Sequence, residues 1–250
     1  MKKINVEHKV IMEEMQYYHK VKEVIAAIIN AEDDIQERYS CLLTGGSSAK
    51  KLYQYLAIGS SLNLIKTTLY FSDERCVSLE NAASNYTMTV QALFPKGVSE
   101  NVKIERMRGE AKNVHVEAER YAKLLPQSID VMLLSVGSDG HVASLFPNAN
   151  SLNEIKKTVI AIEDSPKSPS KRITITKKVI KTAKNIVLMA EGEAKGEVLA
   201  KALLDPENIN ELPVRLTIGN RATWVLDQDA NCAFNRALPE NSYKTRIIHV

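Results

Sequence analysis

Cysteine, glycine and an excess of either charge are all scarce in this chain of 250 residues. Its three cysteines, Cys41, Cys76 and Cys232, are an odd number, lie far apart and have no metal-like spacing. That excludes a disulfide framework and argues for a reducing compartment. Ten glycines and eight prolines are too few for a collagen-like repeat or a flexible linker protein. Lys plus Arg is 33 against 30 Asp plus Glu. So small an excess gives no electrostatic case for nucleic acid or a membrane surface as partner, and it leaves room for a small anionic ligand. No apolar stretch approaches the roughly 20 residues of a membrane helix. Met1-Lys2-Lys3 runs into Ile4-Asn5-Val6-Glu7-His8-Lys9 rather than an apolar core, so the start does not read as a secretory signal. A cytoplasmic protein is expected.

What the chain does contain is an ordinary globular balance, 44% hydrophobic and 25% charged. A chain this long can bury roughly three quarters of its unfolded surface without staples. A helical period marks the first 38 residues, with Ile11, Met15, Tyr18, Ile25, Ile28 and Ile29 on one face, predicting a helix over about 10–37. After it, short apolar runs alternate with amphipathic stretches. Strands are expected at 39–43, 68–71, 129–136, 159–162, 173–176, 186–189 and 223–226. Helices are expected at 49–57, 85–94 and 111–125, with another ending near Asp205-Pro206. No internal repeat or linker divides the chain, and the Pro- and Ser-rich stretch Ser165–Ser170 reads as a surface loop. The pattern predicts an α/β protein, a single three-layer αβα Rossmann-like domain over 1–250 with a mostly parallel sheet.

Position then singles out the chemistry. In open parallel sheets ligands bind beyond the carboxyl ends of the strands. Four polar clusters follow predicted strands: Thr44–Ser48, Ser72–Arg75, Gly137–His141 and Glu191–Lys195. If those strands are parallel neighbours, the clusters converge on one crevice.

Gly45-Gly46-Ser47-Ser48 opens a helix, where turned amides and the helix dipole suit a phosphate. It is neither a Walker loop nor the three-glycine dinucleotide fingerprint, and a plain tight turn with a Ser cap remains open. Asp73-Glu74-Arg75 reads either as a solvated charge cluster or as a carboxylate orienting a guanidinium for an anionic oxygen. In Gly137-Ser138-Asp139-Gly140-His141 the imidazole can accept a proton near neutral pH. Asp139 can take the other ring N–H and fix the tautomer, and the alternative is a capped turn with a surface histidine. His8, His19, His115 and His249 have no such context. Lys195 and Arg172, judged alone, read as surface cations. No Gly-x-Ser-x-Gly elbow is present, and no His, Cys or carboxylate group has metal-ligand spacing.

The clusters together resemble the 6-phosphogluconolactonase family, within the wider glucosamine-6-phosphate isomerase/deaminase group. The matching segments are Thr44–Ser48, Asp73–Val77 with Ser84-Asn85-Tyr86, and Asp139-Gly140-His141 through Ser144-Leu145-Phe146-Pro147. Pro169–Thr174, Gly192–Lys195 and Trp224–Asp227 follow in order. The chain departs from the family pattern in three places. Ser48-Ala49 stands where Thr-Pro is usual, Ser135 where a glycine is usual, and Ser168 and Ser170 flank Pro169 where proline is commoner.

The resemblance implies hydrolysis of 6-phospho-D-glucono-1,5-lactone to 6-phosphogluconate in the oxidative pentose phosphate pathway, without cofactor or metal. It implies His141 as general base, with Asp139 beside it. Arg75, oriented by Asp73, would polarise the carbonyl or bind sugar oxygens. The Gly45, Gly46 and Ser47 amides, with Arg172 and Lys195, would hold the phosphate. The alternatives are a glucosamine-6-phosphate deaminase or sugar-phosphate isomerase, and a non-catalytic sugar-phosphate sensor. The deaminases carry a Phe-Asn-Glu-Pro type of segment, where this chain has Ser144-Leu145-Phe146-Pro147 without a carboxylate. The expected partner is the small sugar-phosphate lactone, and the sequence carries no signal for an oligomeric state.

Overall fold

Strands whose side chains are apolar on both faces need cover on both faces, and the central strands of this chain are of that kind. The computed structural model describes residues 7–11, 14–31, 38–58, 66–219 and 221–237. The chain begins with β1 (Glu7–Ile11), α1 (Glu14–Ala31), β2 (Tyr39–Leu43), α2 (Ser47–Ile58) and β3 (Thr67–Phe71). It continues through β4 (Asp73–Arg75), α3 (Asn85–Leu93), β5 (Lys103–Ile104), α4 (Val114–Ala122) and β6 (Val131–Ser135). Next are β7 (Val159–Ile162), β8 (Arg172–Ile175), α5 (Lys177–Thr182) and β9 (Asn185–Ala190). The described part ends with α6 (Glu193–Leu204), β10 (Ala222–Asp227) and α7 (Gln228–Ala237).

Seven strands form the main sheet in the order β1-β10-β9-β6-β2-β3-β5, every neighbouring pair parallel. Leaving β1 aside, this is the doubly wound order, and it reverses direction between β2 and β6. Val131 and Leu133 of β6, Val187 and Met189 of β9 and Val225 of β10 face a core shared with Tyr17, Val21 and Ile25 of α1 and Leu52 of α2. The alternate residues Met132, Leu134, Ile186, Leu188, Trp224 and Leu226 face a second core with Tyr121 of α4, Leu199 of α6 and Phe234 of α7. Each such fully buried aliphatic contributes roughly 1.5–3 kcal/mol. The expected three-layer αβα arrangement is what results.

The first expected helix differs from the reading of the sequence. Residues 7–11 are an edge strand parallel to β10, the helix spans only Glu14–Ala31, and positions 32–37 lie outside the described residues. Within α1, Tyr18, Ile25 and Ile29 are buried as expected, but Met15 is 65% exposed. The inward face is centred on Tyr17, Val21 and Val24 instead.

A second difference concerns the site. β7 and β8 do not join the parallel sheet; they form an antiparallel three-stranded sheet with β4, in the order β4-β8-β7. An apolar run of four residues does not specify its partner or direction. Here the chain leaves the main sheet at Ser72, and Asp73 pairs with Thr174. The small sheet thereby sets Asp73, Arg75 and Arg172 over the carboxyl ends of the main strands.

Candidate active site

The four polar clusters follow β2, β3, β6 and β9, which are contiguous neighbours in the parallel sheet. Their ends bound a cleft of about 170 Å³ at the point where the strand order reverses. Every expected site residue lines that cleft except Asp139, which stands behind His141.

The turn after β2 is shaped by two glycines with different constraints. A side chain on Gly45 would collide with the Asn85 amide group, whereas one on Gly46 would meet nothing within 4 Å. Gly46 has φ +98°, in the region glycine alone adopts without strain. The Gly45–Gly46 turn leads straight into the N-terminus of α2, where backbone N–H groups lack intrahelical partners and attract anions. Across from it, Lys195 lies in the first turn of α6, and its Nζ donates to Ser48 Oγ at 3.4 Å. Burial pulls the Lys195 ammonium below its ordinary value, with Glu191 and Asp227 working against that shift. Asp227 fixes the start of α6 by accepting the Gly192 N–H on both oxygens, each at 3.0 Å, and it caps the first turn of α7 by accepting the Ala230 N–H at 2.8 Å.

Asp73 is buried, and its partners are not the expected one. Its carboxylate accepts from Ser144 Oγ at 2.7 Å, Ser72 Oγ at 3.2 Å and Asn85 Nδ2 at 3.3 Å. It lies 3.8 Å from Arg172 Nη1. Arg75 is anchored instead through Nη1 to the Ala83 carbonyl at 2.8 Å, and its buried Nε has no partner among the described residues. Asp73 thus sits in one network with Ser144 and Arg172 rather than with Arg75. Glu74, between them, turns inward and accepts the N–H groups of Asn85 (2.6 Å) and Tyr86 (2.7 Å) at the start of α3. Burial pushes its carboxyl up, and those amides hold part of the shift back.

Arg172 is only 3% exposed. Its Nε donates to the Pro169 carbonyl at 3.0 Å, and Nη2 donates to the carbonyls of Lys167 (2.9 Å) and Ser168 (3.4 Å). Nη1 donates to Ser144 Oγ at 3.3 Å. A guanidinium has five N–H donors, so this arrangement leaves only the Nη1 edge for a ligand. The expected phosphate-binding arginine is chiefly a clamp on the 167–169 loop.

His141 follows β6. Gly137 allows it to sit there, since a side chain at 137 would occupy the position of the imidazole. His141 Nδ1 is hydrogen-bonded to Asp139 Oδ1. Partial burial opposes ionisation of Asp139, but the hydrogen bonds and charges of His141 and Lys167 hold its carboxyl well below the usual carboxylate range. An ionised carboxylate only accepts, so Nδ1 carries the donated proton, and in the neutral ring the lone pair is on Nε2. The ring stacks on Phe146, with centroids 4.6 Å apart and planes inclined at 26°.

Three contributors escaped the reading of the sequence. Ser144 bridges Asp73 and Arg172, Glu74 caps α3, and Lys167 pairs with Asp139 from the exposed loop. Ser144 and Glu74 lie inside the quoted motifs, but nothing in local spacing marks Lys167, 28 residues from Asp139.

Residues 13–225 match the family model for glucosamine-6-phosphate isomerases/6-phosphogluconolactonase. The chain is 33% identical to 6-phosphogluconolactonase 3 of Saccharomyces cerevisiae over 222 residues, 81% of this chain and 88% of the yeast protein. It is 35% identical to human 6-phosphogluconolactonase over 207 residues, 77% of this chain and 80% of the human one. The solved 6-phosphogluconolactonase from Trypanosoma cruzi superposes with a TM-score of 0.77 at 27% identity, covering 91% of this chain and 96% of that one. A monomeric glucosamine-6-phosphate deaminase superposes with a TM-score of 0.76 at 18% identity, covering 91% and 100%, a likeness of fold alone. On this extent of match, over a cleft assembled at the strand-order reversal, the chain belongs to the family of glucosamine-6-phosphate isomerases and 6-phosphogluconolactonases.

Proposed function

We propose that the protein hydrolyses 6-phospho-D-glucono-1,5-lactone to 6-phosphogluconate, the lactone-opening step of the oxidative pentose phosphate pathway. The observation that carries this reading is one cleft with a histidine whose Nδ1 is tied to an ionised carboxylate and, on the adjacent strand, a glycine turn at a helix N-terminus. The first suits proton transfer and the second a phosphate. Named relatives with this activity support the assignment.

In this mechanism the Gly45–Ser47 amides and Lys195 hold the 6-phosphate, with the Nη1 edge of Arg172 beside them. Binding the remote phosphate positions the lactone carbonyl against His141. His141 Nε2 takes a proton from water as the water oxygen attacks C1. The Arg75 guanidinium stabilises the oxyanion. Collapse of the tetrahedral intermediate breaks the bond from C1 to the ring oxygen, and the imidazolium returns its proton to that oxygen. Asp139 holds the ring and stabilises its protonated form in between. Asp73 acts through Ser144 and Arg172 on the shape of the cleft wall.

The deaminase alternative is disfavoured by Leu145 and Phe146, both fully buried and neither able to carry a proton for sugar-ring opening. Purified protein incubated with each substrate tests the reading. Lactone opening well above the spontaneous rate, without ammonia from glucosamine 6-phosphate, is expected. Ammonia and fructose 6-phosphate with lactone opening at the blank rate would reverse it.

A further inference from the structure

The 165–170 loop is tied to the site more tightly than a surface connection requires. Lys167 Nζ lies 2.9 Å from Asp139 Oδ2 and 3.3 Å from His141 Nδ1. Asp139 therefore offers one oxygen to the histidine and the other to the lysine. Three successive carbonyls of the loop, at residues 167, 168 and 169, are held by the single buried guanidinium of Arg172. Arg172 and Lys167 also lie over the Phe146 ring, 5.4 and 6.0 Å from its centroid, and His141 stacks on that same ring. A long, 44% exposed lysine side chain loses considerable rotamer entropy when held in one place. Here Arg172 fixes the backbone that carries it.

We propose that Lys167 is a positioning residue of the hydrolytic site: its ammonium shares the Asp139 carboxylate with His141 and so moderates the general base, and Arg172 keeps it there. This rests on the lactonase reading with His141 as base. The physical argument is one of opposed charges. Asp139 favours the imidazolium, while a cation on the far oxygen of the same carboxylate disfavours it. A carboxylate shared with a second cation favours the imidazolium less than an unshared one does. Other charged groups also face the imidazole. Arg172 lies across Phe146, and Asp73, Arg75 and Lys195 share the cleft. None of those three is hydrogen-bonded to Asp139, so a change at Lys167 alters the Asp139–His141 pair while leaving them in place.

The test is the pH dependence of kcat/KM for lactone hydrolysis, read together with titration of the His141 ring resonances by NMR in the unliganded protein. The resonances are identified by their loss in His141→Ala. In Lys167→Met the acid limb and the ring titration should both move to higher pH by about half a pH unit or more, equivalent to about threefold lower activity at pH values below the limb. Asp139→Asn should move both to lower pH, and Lys167→Arg should restore the wild-type profile. Arg172→Lys cannot hold three carbonyls and should shift the limb in the same direction as Lys167→Met. Should that buried substitution fail to fold, the two Lys167 variants carry the test. An unchanged acid limb and ring titration in Lys167→Met overturn the proposal, as does a rise in KM alone, which would make Lys167 a substrate contact. Wild-type protein that opens the lactone no faster than the blank would instead overturn the lactonase reading itself.

Discussion

The imidazole of His141 lies nearly parallel to the Phe146 ring five residues later, and that ring is 1% exposed. A surface histidine free to change rotamer would rarely present one nitrogen in a fixed direction. This one is held by a stacked ring beneath it and a carboxylate at Nδ1, so Nε2, the proposed base, is oriented before a ligand arrives. Phe146→Leu keeps the site apolar but removes the flat support. It should lower kcat by about an order of magnitude with KM little changed, and destabilise the fold by about 1–1.5 kcal/mol. Steady-state kinetics and a urea titration measure the two effects. A kcat equal to wild type would show that stacking does not position the base.

His141→Ala should lose on the order of a hundredfold or more in kcat, the usual contribution of a positioned general base. Loss of the acid limb from the pH–rate profile should accompany it. Near-normal kcat in this variant would remove His141 from the mechanism.

The two glycines after β2 should respond differently to alanine. At Gly46 the new methyl group has no atom of the described residues within 4 Å. The penalty is therefore the positive φ, about 1 kcal/mol, together with obstruction of the phosphate. KM should rise while unfolding stays cooperative. At Gly45 the methyl group would displace Asn85, whose Nδ2 bonds the Asp73 carbonyl and carboxylate. Gly45→Ala should lower thermal stability more than Gly46→Ala. An unchanged KM in Gly46→Ala would argue against phosphate binding at this turn.

Asp139 makes stability depend on pH in a definite direction. Its folded carboxyl is held below the ordinary value by His141 and Lys167. The stabilisation is therefore fully present above the unfolded carboxylate range, near pH 4, and is lost as pH falls from there toward the folded value. Wild type should be more stable than Asp139→Asn at pH 6, and the gap between their urea midpoints should narrow below about pH 4. A gap that stays constant from pH 6 to pH 3 would mean that ionisation of Asp139 contributes nothing to stability.

Lys195→Ala should raise KM for the phosphorylated lactone by less than Gly46→Val does, because the α2 amides remain when the lysine is gone. Comparing KM for both variants checks this, and an effect larger for the lysine would make Lys195 the principal phosphate contact.

The sequence by itself determined the alternation of apolar runs and amphipathic stretches, and with it a sheet covered on both faces, because strands such as Val131–Ser135 have no polar face to give to water. It also placed the polar clusters directly after those runs, and a parallel sheet carries all such positions to one edge. Pairing was decided only in three dimensions. Val159–Ile162 and Arg172–Ile175 read like any short buried strand, and their antiparallel sheet with Asp73–Arg75 depends on contacts about a hundred residues apart. The same holds for the partners of charged groups. Local spacing put Asp73 next to Arg75, yet the buried carboxylate turned to Ser144 and Arg172, which could satisfy it away from water. Likewise a lysine in a polar loop carries no local mark of function. Lys167 meets Asp139 in a fold where Arg172 holds the loop's carbonyls and the ammonium lies beside the carboxylate that is also hydrogen-bonded to His141.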